Sequence, residues 1–254
     1  MFPGIGSGRL PPNQPENRGR YSGMAKPVSK LAKVLDRLAK FYGEPGPPDP
    51  SDPYEMILYV NCGYPATDAS CTKGFSALRK EVGLRPDHIL AAPDGKLAAL
   101  MRLGGIVPEL RAERLKEIAA LVKDEFDGDL RTALTKPLPQ ARKALKKFPT
   151  IGDPGADKIL LFSGTAAITA VPSNCIRVPL RLGFGEEKKN YAASYRSAQE
   201  AIASQLPAEG EALIRAYLLL KRHGQEVCKQ SRPLCERCPV TDACVYFQTP
   251  TGRV

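Results

Sequence analysis

Apolar residues along most of this chain recur every three or four positions, the spacing of one face of an α-helix. Residues 27–42 show the pattern first and predict an amphipathic helix, with these positions on its buried face: Leu31, Val34, Leu35 and Leu38. The following segment "EPGPPDPSDP" at 44–53 predicts a linker, because its prolines lack the amide donor that a continuing helix needs.

Two central segments show the same periodicity and carry basic residues on their other faces. In Glu109–Phe126 the apolar positions are Leu115, Ile118, Ala119 and Val122. In Leu138–Phe148 they are Leu138, Ala141, Leu145 and Phe148. The second segment leaves four cations for another surface: Arg142, Lys143, Lys146 and Lys147. Both segments are therefore predicted to be amphipathic helices.

Two further helices are predicted near the C-terminus. Residues 191–206 place Tyr191, Tyr195, Ala198 and Ile202 inward, and residues 209–223 do the same with Leu213, Ala216, Tyr217 and Leu220. Gly224 is expected to end the second helix, since glycine is common just after a helix C-terminus. Because no alternating segment is long enough for a convincing sheet, the predicted fold class is all-α.

Charge points to a polyanionic partner. Lys and Arg number 37 against 27 Asp and Glu, a formal net charge of +10. Such an excess favours nucleic acid, with a membrane surface as the weaker reading and an ordinary solvated basic surface as the plain alternative. No apolar run is long enough to cross a bilayer, and a cytoplasmic location is expected, associated with the nucleoid in a bacterium. Residues 1–23 are expected to be a disordered tail, which makes Met24 an alternative start.

Four of the seven cysteines lie close together near the C-terminus. Cys228, Cys235, Cys238 and Cys244 follow the spacing C-x6-C-x2-C-x5-C. In a cytoplasmic chain this grouping indicates a metal site rather than disulfides. Zinc sites usually use two close cysteine pairs, whereas a compact loop with four thiolates also suits a [4Fe–4S] cluster, and the spacing alone leaves both open. Cys62, Cys71 and Cys175 share no spacing and are expected to be buried thiols.

The segment "FPTIGDPGADKILLF" at 148–162 joins the basic helix to another apolar one. Helix, glycine-containing turn and helix predict a helix-hairpin-helix at about 138–164, although an ordinary helix–helix turn is the simpler alternative. The first turn of the second helix would offer backbone N–H groups to a DNA phosphate. The predicted phosphate contacts are Thr150, Ile151, Gly152, Gly155, Arg142, Lys143, Lys146 and Lys147, with Lys229 and Arg232 of the cysteine loop in addition.

Hairpin and cysteine loop together resemble the endonuclease III family of helix-hairpin-helix DNA glycosylases over about residues 27–247. The resemblance extends to "ATD" at 66–68, "AVPSNCIRV" at 170–178 and "RHG" at 222–224. It implies a [4Fe–4S] cluster on the four cysteines and double-stranded DNA, damaged or mismatched, as the partner of a monomeric protein. It also implies two helical domains, a barrel over 53–179 and a discontinuous cluster domain over 27–52 and 180–254.

The positions that carry catalysis in that family are altered. Alignment with the family places Pro154 where a nucleophilic lysine is expected and Pro172 where an aspartate assists base departure. Pro65 stands where family members carry a glutamine that fills the gap left by the flipped base. Because proline has neither amine nor carboxylate on its side chain, standard glycosylase and lyase chemistry is not expected.

Other residues could replace the missing groups. Lys158 follows Pro154 by one helical turn, which sets it about 6 Å along the helix axis and predicts that it is too distant for attack. Asp153, Asp157 and Asp68 are candidate carboxylates, although helix-start roles are the plainer reading of the first two. Ser173 and Asn174 could position a water, with no evident base. Two hypotheses follow: a DNA-binding protein without the standard chemistry, or a monofunctional glycosylase whose carboxylate has moved.

Overall fold

The computed structural model describes residues 28–63 and 67–249. The tail at 1–23, Met24 and Pro65 lie outside these residues. Within them the chain contains helices and no strand, which confirms the all-α prediction. The helices of the first half are α1 Lys30–Tyr42, α2 Pro53–Gly63, α3 Asp68–Glu81, α4 Pro86–Ala91, α5 Asp94–Met101 and α6 Pro108–Glu125. Those of the second half are α7 Leu130–Leu134, α8 Leu138–Leu145, α9 Asp153–Phe162, α10 Arg177–Arg181, α11 Tyr191–Ala203, α12 Gly210–Glu226 and α13 Val245–Gln248.

Side-chain caps fix several of the helix starts. Ser29 Oγ accepts the Ala32 amide at 3.1 Å, and Asn190 Oδ1 accepts the Ala193 amide at 2.9 Å. Thr67 caps α3 in the same way. Each cap pairs an amide that has no partner within its own helix, and so α1, α3 and α11 begin at sharply defined residues.

Buried apolar residues form two cores. The larger runs from Met56 to Ala170 and also includes Leu213 and Tyr217 of α12. The smaller joins α1 to the region from Val171 to Val240, with Ala216, Leu219 and Leu220 from α12. One helix therefore contributes residues to both cores and holds the two halves of the molecule together. The predicted domain bounds at 52/53 and 179/180 stay a prediction.

Two local predictions were wrong. Gly224 does not end α12, which continues to Glu226; a Cβ atom at this position would lie 2.5 Å from Cys175 Sγ, so the glycine permits close packing. Tyr191 is 48% exposed instead of buried, because it lies at the first position of α11, beside a cleft. The expected burial of Cys62, Cys71 and Cys175 is confirmed. No helix in the described parts of the chain has the length and apolar character needed to cross a membrane.

Candidate nucleic-acid interface and catalytic cavity

The turn between α8 and α9 is held in shape by its own apolar residues. Phe148 and Ile151 are 2% and 6% exposed, and the Ile151 amide donates to the Phe148 carbonyl at 3.2 Å. The residue in the left-handed region is Thr150, with φ of 66°, whereas Gly152 is extended, with φ of −97°. Asn61 of α2 donates its side-chain amide to the Pro149 carbonyl at 3.2 Å and so attaches the turn to the larger core.

The first turn of α9 presents backbone donors to the surface. Within the described residues, the Gly152, Asp153 and Gly155 amides have no hydrogen-bond partner. Pro154 contributes no amide, and so this turn has one donor fewer than a non-proline sequence would give it. Free N–H groups at a helix N-terminus form a site suited to an anion.

Three of the four cations of the predicted basic face have acidic partners. Lys146 pairs with Asp153 at 2.7 Å and Lys147 with Glu125; these pairs are exposed, so exchange of the acid for a phosphate costs little. Arg142 differs, because its guanidinium is bound to Asp157, which is only 2% exposed. Lys143 is exposed and has no ion pair within the described residues. The geometry thus separates one fixed cation from three that are accessible to a ligand.

Asp157 occupies a buried polar junction. Its Oδ1 accepts two bonds from Arg142, each of 2.7 Å, and its Oδ2 accepts Tyr195 Oη at 3.0 Å and Gln199 Nε2 at 2.9 Å. These donors come from α8 and α11. With four donors already bound, the carboxylate connects the hairpin to the helix that packs in the smaller core.

A cavity of about 450 Å³ opens beside the hairpin. Pro154 and Pro172 both line it, together with Ser173 and Asn174. Residues 18 positions apart in the sequence, predicted to align with the family's lysine and aspartate, therefore line one cavity. The same cavity is lined by the charged side chains of Asp68 in α3, Lys158 in α9 and Lys221 in α12.

Asp68 is ion-paired within this cavity. Its Oδ2 lies 2.7 Å from Lys221 Nζ and 2.8 Å from Gln225 Nε2. Burial alone would raise the pKa of the Asp68 carboxyl, but Lys221 and Gln225 hold that pKa below its usual value. Asp68 is therefore an ionised carboxylate inside the cavity at neutral pH.

Lys158 is half-buried in the same cavity and has no such partner. Within the described residues its amine makes no hydrogen bond or ion pair, and its nearest ring is Phe162, with Nζ 5.8 Å from the centroid. Burial, and to a smaller extent the positive charge of Lys221, lower the pKa of Lys158 to about 8, while Asp68 opposes the change. About a tenth of this lysine is therefore uncharged at pH 7.

The four clustered cysteines surround one small enclosed cavity. Nowhere in the described parts of the chain do three or more His, Cys, Asp or Glu side chains converge on the position of a single metal ion. The donor set, four cysteines with no carboxylate among them, fits the thiolate ligation of an iron–sulfur cluster.

Neighbouring residues hold the cysteine loop. Arg181 Nη1 contacts Cys228 Sγ at 3.4 Å and the Lys229 carbonyl at 2.7 Å, and Arg177 donates to the Cys228 carbonyl at 2.8 Å. His223 Nε2 lies 3.6 Å from Cys238 Sγ. Lys229 donates to the Gln225 carbonyl, whereas Arg232 is exposed. Both predicted phosphate-binding cations therefore lie on the loop surface, 3 residues apart.

Sequence reasoning missed Lys221, Gln225, Tyr195 and Gln199 as site residues. Their partners lie far away in the sequence, as in the 157-residue separation of Gln225 from Asp68. Arg177 and Arg181 had one local signal, because their spacing of four places both on one side of a helix. No local pattern joins Lys221 to Asp68.

Comparison with known proteins shows the fold and supports a family. No protein-family model matches the chain. It is 28% identical over 196 residues to endonuclease III of Sulfolobus acidocaldarius, covering 76% of this chain and 82% of that protein. The solved structure of a trapped endonuclease III–DNA covalent intermediate superposes with a TM-score of 0.67 over 89% of this chain and 98% of its own, at 22% identity. The sequence relatives and the shared fold support the endonuclease III family of helix-hairpin-helix DNA glycosylases for this chain.

Thymine-DNA glycosylases are among the relatives too. The enzyme of Aeropyrum pernix is 27% identical over 225 residues, covering 87% of this chain and 95% of that protein. A solved structure of a thermostable thymine-DNA glycosylase has a TM-score of 0.67 over 86% of this chain and 97% of its own, at 21% identity. The matches to both groups of proteins thus span most of this chain, on which the sequence-based alignment predicts Pro154 and Pro172 at the family's lysine and aspartate positions.

Proposed function

We propose that this protein binds duplex DNA as a monomer and acts in base-excision repair or damage recognition. The proposal rests on the observation that the hairpin borders the cavity. Thr150, Ile151, Gly152 and Gly155 line the cavity and belong to the hairpin with the free amides. A backbone phosphate held by those amides would lie next to the cavity entrance, where a flipped nucleotide could enter.

Lys143, Lys146 and Lys147 would add phosphate contacts, with Lys229 and Arg232 on the cysteine loop. Arg142 has a different role, since its bond to buried Asp157 fixes the hairpin rather than contacting DNA. Two solved structures that share this fold are endonuclease III–DNA complexes, which supports duplex DNA as the partner here.

DNA binding is tested by titrating a fluorescent duplex with the protein at several salt concentrations. Log affinity should fall linearly with log salt, and Lys143→Ala should lower the slope by about 0.9. Lys40→Ala, an exposed lysine of α1, is the matched control and should leave the slope unchanged. Affinity that does not change with salt would overturn the proposed phosphate contacts.

We propose a [4Fe–4S] cluster on Cys228, Cys235, Cys238 and Cys244. Such a cluster would fix the loop that carries Lys229 and Arg232, and it can also transfer electrons. Purified protein should be brown and should contain about four iron and about four sulfide ions per chain. Colourless protein containing one zinc would refute this assignment.

The predicted alignment puts Pro154 and Pro172 in place of the standard catalytic pair, so we infer that any base release uses another carboxylate. Asp68 is favoured over Asp153 and Asp157, because it is ionised and lines the cavity beside Pro172. Asp153 is exposed and paired with Lys146, and Asp157 is occupied by four donors. Duplexes with uracil, oxidised pyrimidines, alkylated purines or T·G mismatches should then give alkali-labile sites that Asp68→Asn abolishes. Binding without product on every substrate would instead support the non-catalytic reading.

A further inference from the structure

The proposed binding function does not use the amine of Lys158, which lines the cavity. Lys221 has an ion-pair partner in Asp68, and Asp68 has a second donor in Gln225. Lys158 has neither within the described residues. An amine that is withdrawn from water without a compensating bond lowers stability, and such a group is a candidate for chemistry.

The sequence predicted that Lys158 lies too far along the helix to replace a nucleophile at position 154, but helix geometry removes this objection. That objection compared positions along the α9 axis, where one turn separates Lys158 from Pro154. Long side chains on a helix point back toward its N-terminus, and an extended lysine spans about 6 Å from Cα to Nζ. The amine can therefore reach the level of Pro154, and Lys158 lines the same cavity as Pro154 and Pro172.

The surroundings keep this amine partly uncharged. The ionisable groups facing it come from separate elements: Tyr59 of α2, Asp68 and Cys71 of α3, Cys175, Tyr191 of α11, and Tyr217 and Lys221 of α12. The only full negative charge among them, Asp68, is already balanced by Lys221. The free amine is the nucleophilic form of lysine, so the cavity favours the reactive state.

We propose that Lys158 is a nucleophile that forms an imine with the aldehyde of an abasic deoxyribose. This inference rests on the proposed DNA-binding function. Nζ adds to C1′ of the ring-opened sugar to give a carbinolamine, which loses one water to form the imine. Loss of the C2′ proton to solvent and departure of the 3′ phosphate with the C3′–O electron pair would then cleave the strand.

The test is borohydride trapping on a duplex with one abasic site. Hydride reduces the imine to a secondary amine, so wild-type protein should form a stable protein–DNA adduct, and peptide mass spectrometry should locate it on Lys158. Lys158→Met should lower adduct formation at least about tenfold. Lys40→Met, on α1 and outside both the cavity and the proposed DNA contacts, is the matched control for loss of one surface amine and should trap as wild type does.

The outcomes separate this inference from the proposed function. Abasic DNA bound by wild-type protein without any adduct would overturn the role of Lys158 and leave the binding proposal intact. An adduct that persists in Lys158→Met, or that maps to Lys221 or the N-terminal amine, would overturn it as well. Absence of DNA binding would overturn both proposals. Circular dichroism and thermal unfolding of Lys158→Met and Lys158→Gln establish that each variant is folded.

Discussion

Replacement of Asp157 by Asn tests whether the buried polar junction joins the hairpin to the rest of the molecule. The substitution keeps the side-chain volume but removes the charge and turns one acceptor into a donor. Four bonds are affected: two from Arg142 at 2.7 Å, one from Tyr195 at 3.0 Å and one from Gln199 at 2.9 Å. At least one of these donors would then face an NH₂ group instead of an oxygen.

The expected cost is large for a single substitution. Removal of one partner from a buried ion pair costs about 3–5 kcal/mol, because the remaining charge stays buried without compensation. Arg142 is 34% exposed and can recover part of its hydration, which places the estimate at about 3 kcal/mol in the free energy of unfolding. For a chain of this length that corresponds to a fall in Tm of about 6–12 °C.

Chemical unfolding at pH 7 measures this change, with Asp153→Asn as the matched control. Asp153 lies four residues earlier on the same helix and pairs with Lys146, but its side chain is 58% exposed. The control should change the free energy of unfolding by less than about 1 kcal/mol. Equal effects of the two substitutions would refute the reasoning, since burial would then not decide the cost.

Three further substitutions test other parts of the structure. Lys158→Met should raise the free energy of unfolding at pH 7 by about 2 kcal/mol, because it removes a charged amine whose burial is unfavourable. Native Lys158 has a pKa of about 8 against an ordinary 10.5, so the destabilisation by this amine is complete below pH 8. As the pH rises to 10.5 the destabilisation disappears, and the gain from Lys158→Met should disappear with it. A gain unaltered by pH in urea titrations would contradict the burial of a charged amine. Gly104→Ala places a Cβ 1.7 Å from the Cys62 carbonyl oxygen and should cost about 3 kcal/mol in thermal unfolding, whereas Gly95→Ala, with no atom within 4 Å, should slightly stabilise α5. Cys238→Ser should lower iron per chain and Tm together, and an unchanged iron content would argue against Cys238 as a ligand.

The imine hypothesis also predicts a pH dependence of its own. Trapping by wild-type protein should increase with pH through about 8, since the free amine replaces the ammonium over that range. Borohydride trapping at a series of pH values on one abasic duplex measures the profile. A rate that is flat from pH 6 to about 9 would show that another group is responsible.

The sequence by itself determined the helical fold, the hairpin and the grouping of the cysteines. These features depend on residues close together in the chain: apolar spacing of three and four, a turn between two amphipathic segments, and four thiols within 17 residues. Local spacing is sufficient because a helix face and a short metal-binding loop are formed by neighbours in sequence.

Only the tertiary structure decided which side chains share a site. No sequence pattern predicts the contacts of Asp157 of α9 with Tyr195 and Gln199 of α11. The same is true of the ion pair between Lys221 of α12 and Asp68 of α3. It also described Lys158 by its position along a helix axis, while the cavity depends on the direction of the side chain and on what packs around it. Pairing, burial and the resulting pKa are properties of segments brought together by the two cores, and for that reason no local pattern encodes them.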